Sequence, residues 1–244
     1  MAIKVAVAGS KGKVGQEMAR ALQAAEGIDY VGGVDVDGDL GQLLKQQVHA
    51  LVDFTAPDAA LQNALLAVEH GASPVVGTTG IPAEGVDQIE EACRKRRIGG
   101  IVCPNFAVGA VVMMWLAEKA APYFQAVEVL EMHHDQKADA PSGTALATAR
   151  RLAAAARFSH KGADKVTLEH TRGGVHENVA VHSVRLPGLV ADQEVIFGLP
   201  GQTLTIAHRT TSREAFVPGV LLAVRKVTQD GAFYRRLDDL LGLG

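Results

Sequence analysis

The alternation of apolar, strand-like runs with amphipathic helical segments over the first hundred residues most constrains how this chain can fold. Residues 3–8 form a short Val-rich run, which is typical of a strand covered on both faces. Further strands are predicted at 30–34, 50–54, 74–76 and 98–103. Helices are predicted to begin near residues 14, 57 and 83, with Thr55 as a possible cap for the second and an irregular polar stretch at 37–47. This alternation predicts a parallel sheet with helices on both faces.

The pattern changes after Pro104. A helix over 108–121, a strand over 127–132 and an Ala-rich helix from Pro141 to about residue 157 are followed by a polar loop at 159–178. Three alternating strands at 179–186, 193–199 and 202–208 have short connections and favour an antiparallel meander. Residues 211–214 resemble a capping box for a last helix that ends near residue 227. We therefore predict an α/β fold, with a Rossmann-like unit and an α+β unit that has a mixed, largely antiparallel sheet.

Composition limits the class of protein. The 244 residues are 48% apolar and 21% charged with a formal net charge of −3, which excludes a wholly disordered chain and argues against general binding to nucleic acid. The longest apolar run, 106–117, is too short to cross a bilayer, and the N-terminus has no signal-peptide pattern. Cys93 and Cys103 have no metal-type spacing and are expected to stay reduced. These features predict a cytoplasmic protein without a membrane partner.

Gly9, Gly12 and Gly15 form a G-x-x-G-x-x-G loop between the first predicted strand and helix. Such a loop lets backbone N–H groups approach a pyrophosphate at a helix N-terminus, although it can also be a tight turn without a ligand. Asp35, 20 residues after Gly15, stands where a carboxylate accepts from ribose hydroxyls. Asp35 disfavours the extra phosphate of NADPH, whereas Lys11 and Lys13 favour it. We therefore predict use of both NADH and NADPH.

Two later segments, 77–79 and 103–106, also follow predicted parallel strands, at the sheet edge where ligands bind. Gly, Thr, Pro and Asn are common in turns, so these segments alone leave a plain turn as an equal alternative. The candidate cofactor-binding residues are Gly9, Ser10, Lys11, Gly12, Lys13, Val14, Asp35, Gly77, Thr78, Thr79, Cys103, Pro104, Asn105 and Phe106.

The segment 131–145 combines proton donors with a helix start. His133, His134 and Lys137 precede Ser142-Gly143-Thr144, whose backbone N–H groups and hydroxyls suit a carboxylate. A lone His or Lys is usually structural or solvated, so the grouping carries the argument. Two adjacent His on a strand point to opposite faces, which argues against a shared metal ion, and no metal is predicted.

The segment 131–145 resembles a motif of a known family, the dihydrodipicolinate (4-hydroxy-tetrahydrodipicolinate) reductases of lysine and diaminopimelate synthesis. The motif Glu131-x-His133-His134-x-x-Lys137-x-Asp139-Ala140-Pro141-Ser142-Gly143-Thr144-Ala145 carries the resemblance. It is supported by the glycine loop, Asp53-Phe54-Thr55, Gly77-Thr78-Thr79-Gly80, Pro104-Asn105-Phe106, His182-Ser183-Val184-Arg185 and Phe216-Val217-Pro218-Gly219. Cys103, where Ala or Ser is commoner, and Asp192-Gln193, where many members have a His, depart from the pattern.

The resemblance implies an NADH- or NADPH-dependent reduction of 4-hydroxy-tetrahydrodipicolinate to tetrahydrodipicolinate. His133 is implied as the catalytic acid/base and Lys137 as a second proton donor, while His134, Lys137 and Ser142-Gly143-Thr144 hold the dicarboxylate. It also implies a homotetramer built through the sheet of the substrate domain. Residues 1–105 and 216–244 then form the dinucleotide-binding domain, and 106–215 form the substrate-binding and tetramerisation domain.

Two other functions remain open on the residues alone. Another nicotinamide enzyme, such as a small amino-acid or imino-acid dehydrogenase, shares the glycine loop without needing His133, His134 and Lys137. A non-catalytic dinucleotide sensor has no reason to keep proton donors beside an anion site. Stabilisation by pyridine-2,6-dicarboxylate distinguishes the reductase from both.

Overall fold

The computed structural model describes residues 2–243. In its first part, strands and helices alternate: β1 (Ile3–Ala8), α1 (Lys13–Ala24), β2 (Ile28–Val34), α2 (Leu40–Leu44), β3 (Ala50–Asp53), α3 (Pro57–Glu69), β4 (Ser73–Val76), α4 (Ala83–Arg96) and β5 (Gly100–Val102). The later elements are α5 (Val108–Ala120), β6 (Ala126–His133), α6 (Gly143–Ala155), β7 (Gly174–His176), β8 (Val179–Arg185), β9 (Ala191–Leu199), β10 (Gln202–His208), α7 (Val217–Asp230), β11 (Phe233–Tyr234) and α8 (Leu237–Leu241). Short 3-10 turns lie at Ala121–Tyr123 and Arg213–Phe216.

The chain divides into two compact units. The first contains the residues up to Val108 and those from Arg213 onwards, and the second contains Gly109–Ser212. The assignment of a binding role to each unit stays a prediction.

The first unit is built on a six-stranded parallel sheet in the order β11-β5-β4-β3-β1-β2. Every residue of β3, β4 and β5 is buried, as expected for apolar central strands covered by helices. The returning helix α7 packs against these three strands, and its Val220, Ala223, Val224 and Val227 are buried. The predicted Rossmann-like parallel sheet is confirmed.

The second unit has a five-stranded sheet in the order β10-β9-β6-β8-β7. Strand β6 is parallel to β8 and antiparallel to β9, and the remaining two pairings are antiparallel. Helix α6 packs against β6 and β8 over a core that includes Val127, Val129, Ala149, Leu152 and Phe197. The sheet is therefore mixed and largely antiparallel, as predicted.

Several details of the prediction were wrong. The strands β8, β9 and β10 are not a meander, because β6 lies between β8 and β9 and supplies long-range pairing that local pattern does not encode. The stretch 37–47 contains α2, whose cap is the Asp39 carboxylate accepting from the N–H of Gln42 at 3.0 Å. Ala56, not Thr55, is the N-cap of α3. The strand β7 lies inside the predicted loop, and β11 and α8 follow the helix that was expected to be last.

No helix among residues 2–243 is both long and apolar enough to cross a bilayer. Cys93 and Cys103 are both buried and are not joined by a disulfide bond, and burial raises the pKa of Cys93 to about 12. The Cys93 thiol therefore stays protonated at neutral pH.

Candidate active site

The loop between β1 and α1 needs glycine for steric reasons. Gly9 has a φ of +78°, and a Cβ there would lie 2.5 Å from the backbone oxygen of Phe54. A Cβ on Gly15 would lie 2.0 Å from the backbone oxygen of Gly9, so α1 packs directly on the loop. Gly12 is the N-cap of α1 and provides no side-chain cap. Gly9 and Gly15 are therefore required by contacts within the protein, and the N–H groups at the start of α1 suit an anion.

Asp35, directly after β2, faces this loop. Its carboxylate accepts from the N–H groups of Lys11 and Val36, each at 3.0 Å. The ammonium of Lys11 forms an exposed ion pair with Asp37 at 2.6 Å. This contact raises the pKa of Lys11 and lowers that of Asp37. The Lys11 charge is therefore paired with Asp37, an acidic residue that sequence reasoning left without a role.

A cavity of about 580 Å³ lies beside the loop, a size typical of small-molecule sites. Of the predicted cofactor residues it is lined by Gly9, Lys11, Gly12 and Asp35. The other predicted cofactor residues do not line this cavity. They are Ser10, Lys13, Val14, Gly77, Thr78, Thr79, Cys103, Pro104, Asn105 and Phe106. Phe54, Thr55 and Asn63 also line it, and no cofactor-binding role was predicted for these three.

A buried carboxylate organises the loops after β3 and β4. Asp53 is fully buried, and one of its oxygens accepts from the hydroxyls of Thr55 and Thr78, each at 2.8 Å. The other accepts from the side-chain amide of Asn63 at 2.8 Å. A buried carboxylate needs such partners, because an unpaired one is costly. Asp53 therefore fixes Thr78 at the carboxyl edge of the sheet.

Aromatic packing places the segment after β5 at the same edge. The rings of Phe54 and Phe106 meet edge to face with centroids 6.2 Å apart. A Cβ on Gly77 would lie 2.2 Å from the Phe54 ring, which explains glycine at that position. The Cys103 thiol donates to the carbonyl of Asn105 at 3.1 Å, and the Asn105 side chain accepts from the N–H of Ala107 at 2.9 Å. The predicted segments 77–79 and 103–106 are thus held at the ends of β4 and β5.

In the second unit, Glu131 brings several predicted residues together. Its side chain is 0% exposed. One carboxylate oxygen lies 2.5 Å from Nδ1 of His133, and the other accepts from the N–H of Ser142 at 3.2 Å. Arg185 donates to both oxygens, at 2.8 and 2.9 Å. The end of β6, the end of β8 and the start of α6 therefore meet at one buried carboxylate.

The loop between β6 and α6 carries the other predicted groups. Lys137 forms an ion pair with Asp139 at 2.6 Å, and its N–H donates to the carbonyl of His134 at 3.2 Å. Arg185 also donates to the backbone oxygen of Asp139 at 2.7 Å. The ion pair lowers the pKa of Asp139. Two cationic side chains therefore lie at this loop, Lys137 from the loop itself and Arg185 from the end of β8.

The start of α6 is well defined. Ser142 is the N-cap, and its buried hydroxyl accepts from the N–H of Ala145 at 3.1 Å. A Cβ added at Gly143 would have no heavy atom within 4 Å. The first turn of a helix directs N–H groups away from the helix body and attracts anions. Ser142 therefore shapes this turn, while open space remains beside Gly143.

Family models match both halves of the chain. The model described as "Dihydrodipicolinate reductase, N-terminus" matches residues 3–106, and that described as "Dihydrodipicolinate reductase, C-terminus" matches residues 109–241. The chain belongs to the dihydrodipicolinate reductase family. The predicted membership of the family is confirmed.

Individual members of the dihydrodipicolinate reductase family match at full length. The 4-hydroxy-tetrahydrodipicolinate reductase of Moorella thermoacetica is 48% identical, and the alignment covers 98% of both chains. The reductase of Mycolicibacterium gilvum is 44% identical over 99% of this chain and 100% of the relative. A dipicolinate-bound dihydrodipicolinate reductase from Paenisporosarcina sp. TG-14 has a TM-score of 0.86 at 35% identity, with 96% and 98% of the chains covered. The chain is accordingly an oxidoreductase of the lysine and diaminopimelate route that uses a pyridine nucleotide.

The electrostatics of this reductase site are set by burial and by a few contacts. Burial raises the pKa of Glu131, but hydrogen bonds from Arg185, Ser183 and His133 outweigh it, and the pKa lies below its ordinary value. Burial lowers the pKa of His133 below 6.5, although Glu131 opposes this effect. The charges of Lys137 and Arg185 lower the His133 pKa further. Glu131 is therefore ionised at neutral pH, and the neutral form of His133 is favoured.

Sequence reasoning gave no role to Glu131 or Arg185. A signal for Glu131 does exist, because Val127, Val129 and Glu131 alternate along one face of β6 and all three are buried. A carboxylate at an inward position of a strand indicates a buried partner. Arg185 gave no such signal, because its partner lies 54 residues away and β8 pairs with β6 only in the fold.

Proposed function

We propose that this chain catalyses the reduction of 4-hydroxy-tetrahydrodipicolinate to tetrahydrodipicolinate, with loss of water, at a site in its second unit. The arrangement around Glu131 carries the proposal, because one carboxylate holds both His133 and the residue that caps α6. A general acid beside an anion-binding helix start suits a planar ring that bears carboxylates. The dipicolinate bound by the Paenisporosarcina relative is a ligand of this chemical class.

We infer that the dinucleotide lies along the loop 9–14, with Asp35 at the ribose and the segments 77–79 and 103–106 near its nicotinamide half. The cavity beside the loop supports this fit, because Gly9, Gly12 and Asp35 all line it. When bound, the reduced nicotinamide supplies the hydride. Residues of the first unit hold and orient it, with N–H groups at the start of α1 directed toward its phosphates.

His133 is the proposed proton donor to the ring carbon, through Nε2, because Nδ1 is bonded to Glu131. His134, Lys137 and the turn 142–144 are proposed to hold the two carboxylates. Lys137 must exchange its contact with Asp139 for the substrate, and it supplies positive charge where negative charge develops. Ser142 contributes by capping the turn, and the N–H groups of Gly143 and Thr144 face the carboxylate. Lys137 is also proposed as a second proton donor.

Both NADH and NADPH are proposed as hydride donors. Asp35 repels a 2′-phosphate, and the nearby Lys11 attracts it but is shared with Asp37. We therefore expect comparable kcat/KM values for the two nucleotides. A preference above about a hundredfold, nearly 3 kcal/mol, contradicts this proposal.

A homotetramer that assembles through the second sheet is also proposed. Helix α6 covers one face of this sheet, whereas Leu130, Met132 and Ile196, on the other face, are only partly buried. Light scattering after gel filtration tests this, and a tetramer has four times the chain mass of 25.6 kDa. Localisation in the cytoplasm stays a prediction.

The reaction is tested by following NADH and NADPH oxidation while the substrate is formed in situ from aspartate semialdehyde and pyruvate by the preceding synthase. The expected result is oxidation that requires the synthase and both of its substrates. Omission of the synthase is the matched control. If NADH or NADPH oxidation does not require the synthase, or depends on amino or imino acids instead, the chain is another nicotinamide dehydrogenase.

A further inference from the structure

Glu131 occupies an unusual place for an ionised group. It continues the inward row of Val127 and Val129 on β6, and its side chain is 0% exposed. Removing a carboxylate from water is costly unless charge and hydrogen bonds compensate. Here Arg185 and the N–H of Ser142 compensate. A purely structural ion pair would be complete with these partners, yet one oxygen also contacts His133 at 2.5 Å.

The contact with His133 fixes which ring nitrogen carries the proton. An ionised carboxylate can only accept a hydrogen bond, so Nδ1 of His133 must donate. In the neutral ring the proton is therefore on Nδ1, and Nε2 is the atom that takes up and releases a proton. Because Arg185 and Ser142 immobilise the carboxylate, the orientation of the His133 ring is fixed as well.

We propose that Glu131 is a positioning residue for the reaction: it holds His133 in the Nδ1–H tautomer and stabilises the imidazolium that delivers a proton from Nε2. The inference rests on the proposed function, in which His133 is the acid. In that step the Nε2–H bond breaks, a C–H bond forms at the reduced ring, and the Nδ1–H bond remains intact. Glu131 stays ionised throughout, as expected for a carboxylate that orients a histidine.

The other groups around His133 make Glu131 necessary. Lys137, from the following loop, and Arg185, from β8, both carry positive charge that opposes an imidazolium. The residue opposite His133 on β9 is Ala191, which has no charge. Glu131 is the group among these that favours the protonated ring. Without it, two cations and burial would act on His133 unopposed.

Glu131→Gln tests the proposal, and Glu128→Gln is a matched control. Glu128 lies on the same strand and also contacts one His and one Arg, namely His182 at 2.9 Å and Arg172. The two readouts are the pKa of His133 from its ring NMR signals and the pH profile of kcat/KM. A carboxylate in contact shifts a pKa by about 1–3 units. We expect Glu131→Gln to lower both values by about one unit or more, with kcat/KM at pH 7.5 reduced about tenfold or more, and Glu128→Gln to change neither.

The double variant Glu131→Gln/Arg185→Met removes the buried carboxylate together with its cationic partner, and it guards against misfolding of the single variant. The wild-type enzyme provides a test that needs no variant. Its His133 ring nitrogens, observed by 15N NMR above the pKa, should show the proton on Nδ1. A proton on Nε2 overturns the proposal, as does an unchanged His133 pKa in folded Glu131→Gln.

Failure of the proposed function gives a different pattern. If His133 is not the acid, the NMR pKa moves in Glu131→Gln while the pH profile of kcat/KM stays fixed, and His133→Gln retains turnover. That pattern overturns the catalytic role of Glu131 together with the assignment of His133. If the His133 pKa measured by NMR and the pH profile of kcat/KM shift together, the result supports the role of Glu131 and the assignment of His133 as the acid.

Discussion

Burial and the neighbouring cations Lys137 and Arg185 favour the neutral form of His133, while Glu131 favours the charged form. The balance leaves the pKa of His133 below 6.5, so little imidazolium is present at neutral pH in the free enzyme. If the dianionic substrate binds as proposed, it adds negative charge beside the ring and favours the proton. We therefore expect binding of the dicarboxylate and uptake of the proton by His133 to be coupled.

This balance predicts the pH dependence of kcat/KM, which reports groups of the free enzyme. An acid must be protonated to act, so kcat/KM should be highest below the pKa of His133 and should fall as pH rises through it. Because the pKa of His133 is lowered, we expect this fall in kcat/KM to occur below pH 6.5. Initial rates at low substrate from pH 5 to 9 provide the measurement. A kcat/KM value that increases with pH over this range contradicts the assignment.

His133→Gln and Lys137→Met should both reduce kcat while the fold survives. A proton donor or an electrostatic contact is worth roughly a hundredfold to a ten-thousandfold in rate. Lys137→Met should in addition raise KM, because Lys137 is proposed to hold a carboxylate. Steady-state kinetics and circular dichroism provide the readouts. Near-normal turnover in a folded variant rules out the role given to that residue.

Asp37→Asn should shift the nucleotide preference toward NADPH. The variant releases Lys11 from its ion pair and removes a negative charge near the proposed site of the 2′-phosphate. The pair is well exposed, so the effect is small, about two- to fivefold in the ratio of kcat/KM for NADPH over NADH. Glu17→Gln is the control, because Glu17 forms a partly exposed ion pair with Arg20 on α1. An unchanged ratio shows that Lys11 does not contact the phosphate.

At the residue level, sequence reasoning assigned roles to groups that form a local motif and assigned none to groups whose partners are distant in sequence. His133 and Lys137 stand out because proton donors precede a helix start. Asp37 and Arg185 lack such a signal, since each matters through a partner 26 or 54 positions away. Side-chain pairing across that distance is set by strand order.

Among the elements, strands β1 to β5 of the first sheet were predicted closely because each is a short apolar run between turn residues. Strand order in the second sheet was not, because β6 inserts between β8 and β9. The helix α2 was missed since its five residues are too short for a periodic pattern. The two-residue strand β11 depends on pairing with β5, so local propensity does not reveal it.

The contact between α1 and its preceding loop makes Gly15→Ala a test of this element. The new Cβ would lie 2.0 Å from the backbone oxygen of Gly9, so α1 must shift away from the loop. Overpacking of this kind costs about 1–3 kcal/mol. We expect a lower urea midpoint and a weaker Kd for NADH by fluorescence titration.

Gly162→Ala is the matched control for Gly15→Ala. Position 162 has open space for a Cβ, and its φ is not in the left-handed region. Its stability should change by less than about 0.5 kcal/mol. Tight NADH binding by a stable Gly15→Ala protein is incompatible with a pyrophosphate at this loop.

For the whole molecule, the chain enters the second unit after Val108 and returns to the first at Arg213. Helix α7 and strand β11 complete the core and the edge of the first sheet. The first unit is therefore discontinuous in sequence. Each proposed binding site nevertheless lies within one unit, with the glycine loop and Asp35 in the first and His133 and Lys137 in the second.

This division predicts that two ligands stabilise the enzyme through separate sets of residues. NADH and pyridine-2,6-dicarboxylate should each raise the melting temperature, because a ligand that binds only the folded state at a hundred times its Kd contributes about 2.7 kcal/mol. For a chain of this length the shift is about 5 °C or more. Asp35→Ala should remove the shift with NADH and keep that with the dicarboxylate, and Lys137→Met should do the reverse.

The four combinations of variant and ligand are measured by thermal shift at matched protein concentration, with wild type and Glu128→Gln as references. Asp35 contacts the backbone of Lys11, so Asp35→Ala also disturbs the glycine loop, which strengthens its effect on NADH alone. The Lys137 side chain pairs with Asp139 and its backbone N–H donates to His134, and both partners lie in its own unit. Loss of both shifts in either folded variant means that the two sites do not act separately, and a dicarboxylate shift that survives Lys137→Met places its carboxylates elsewhere.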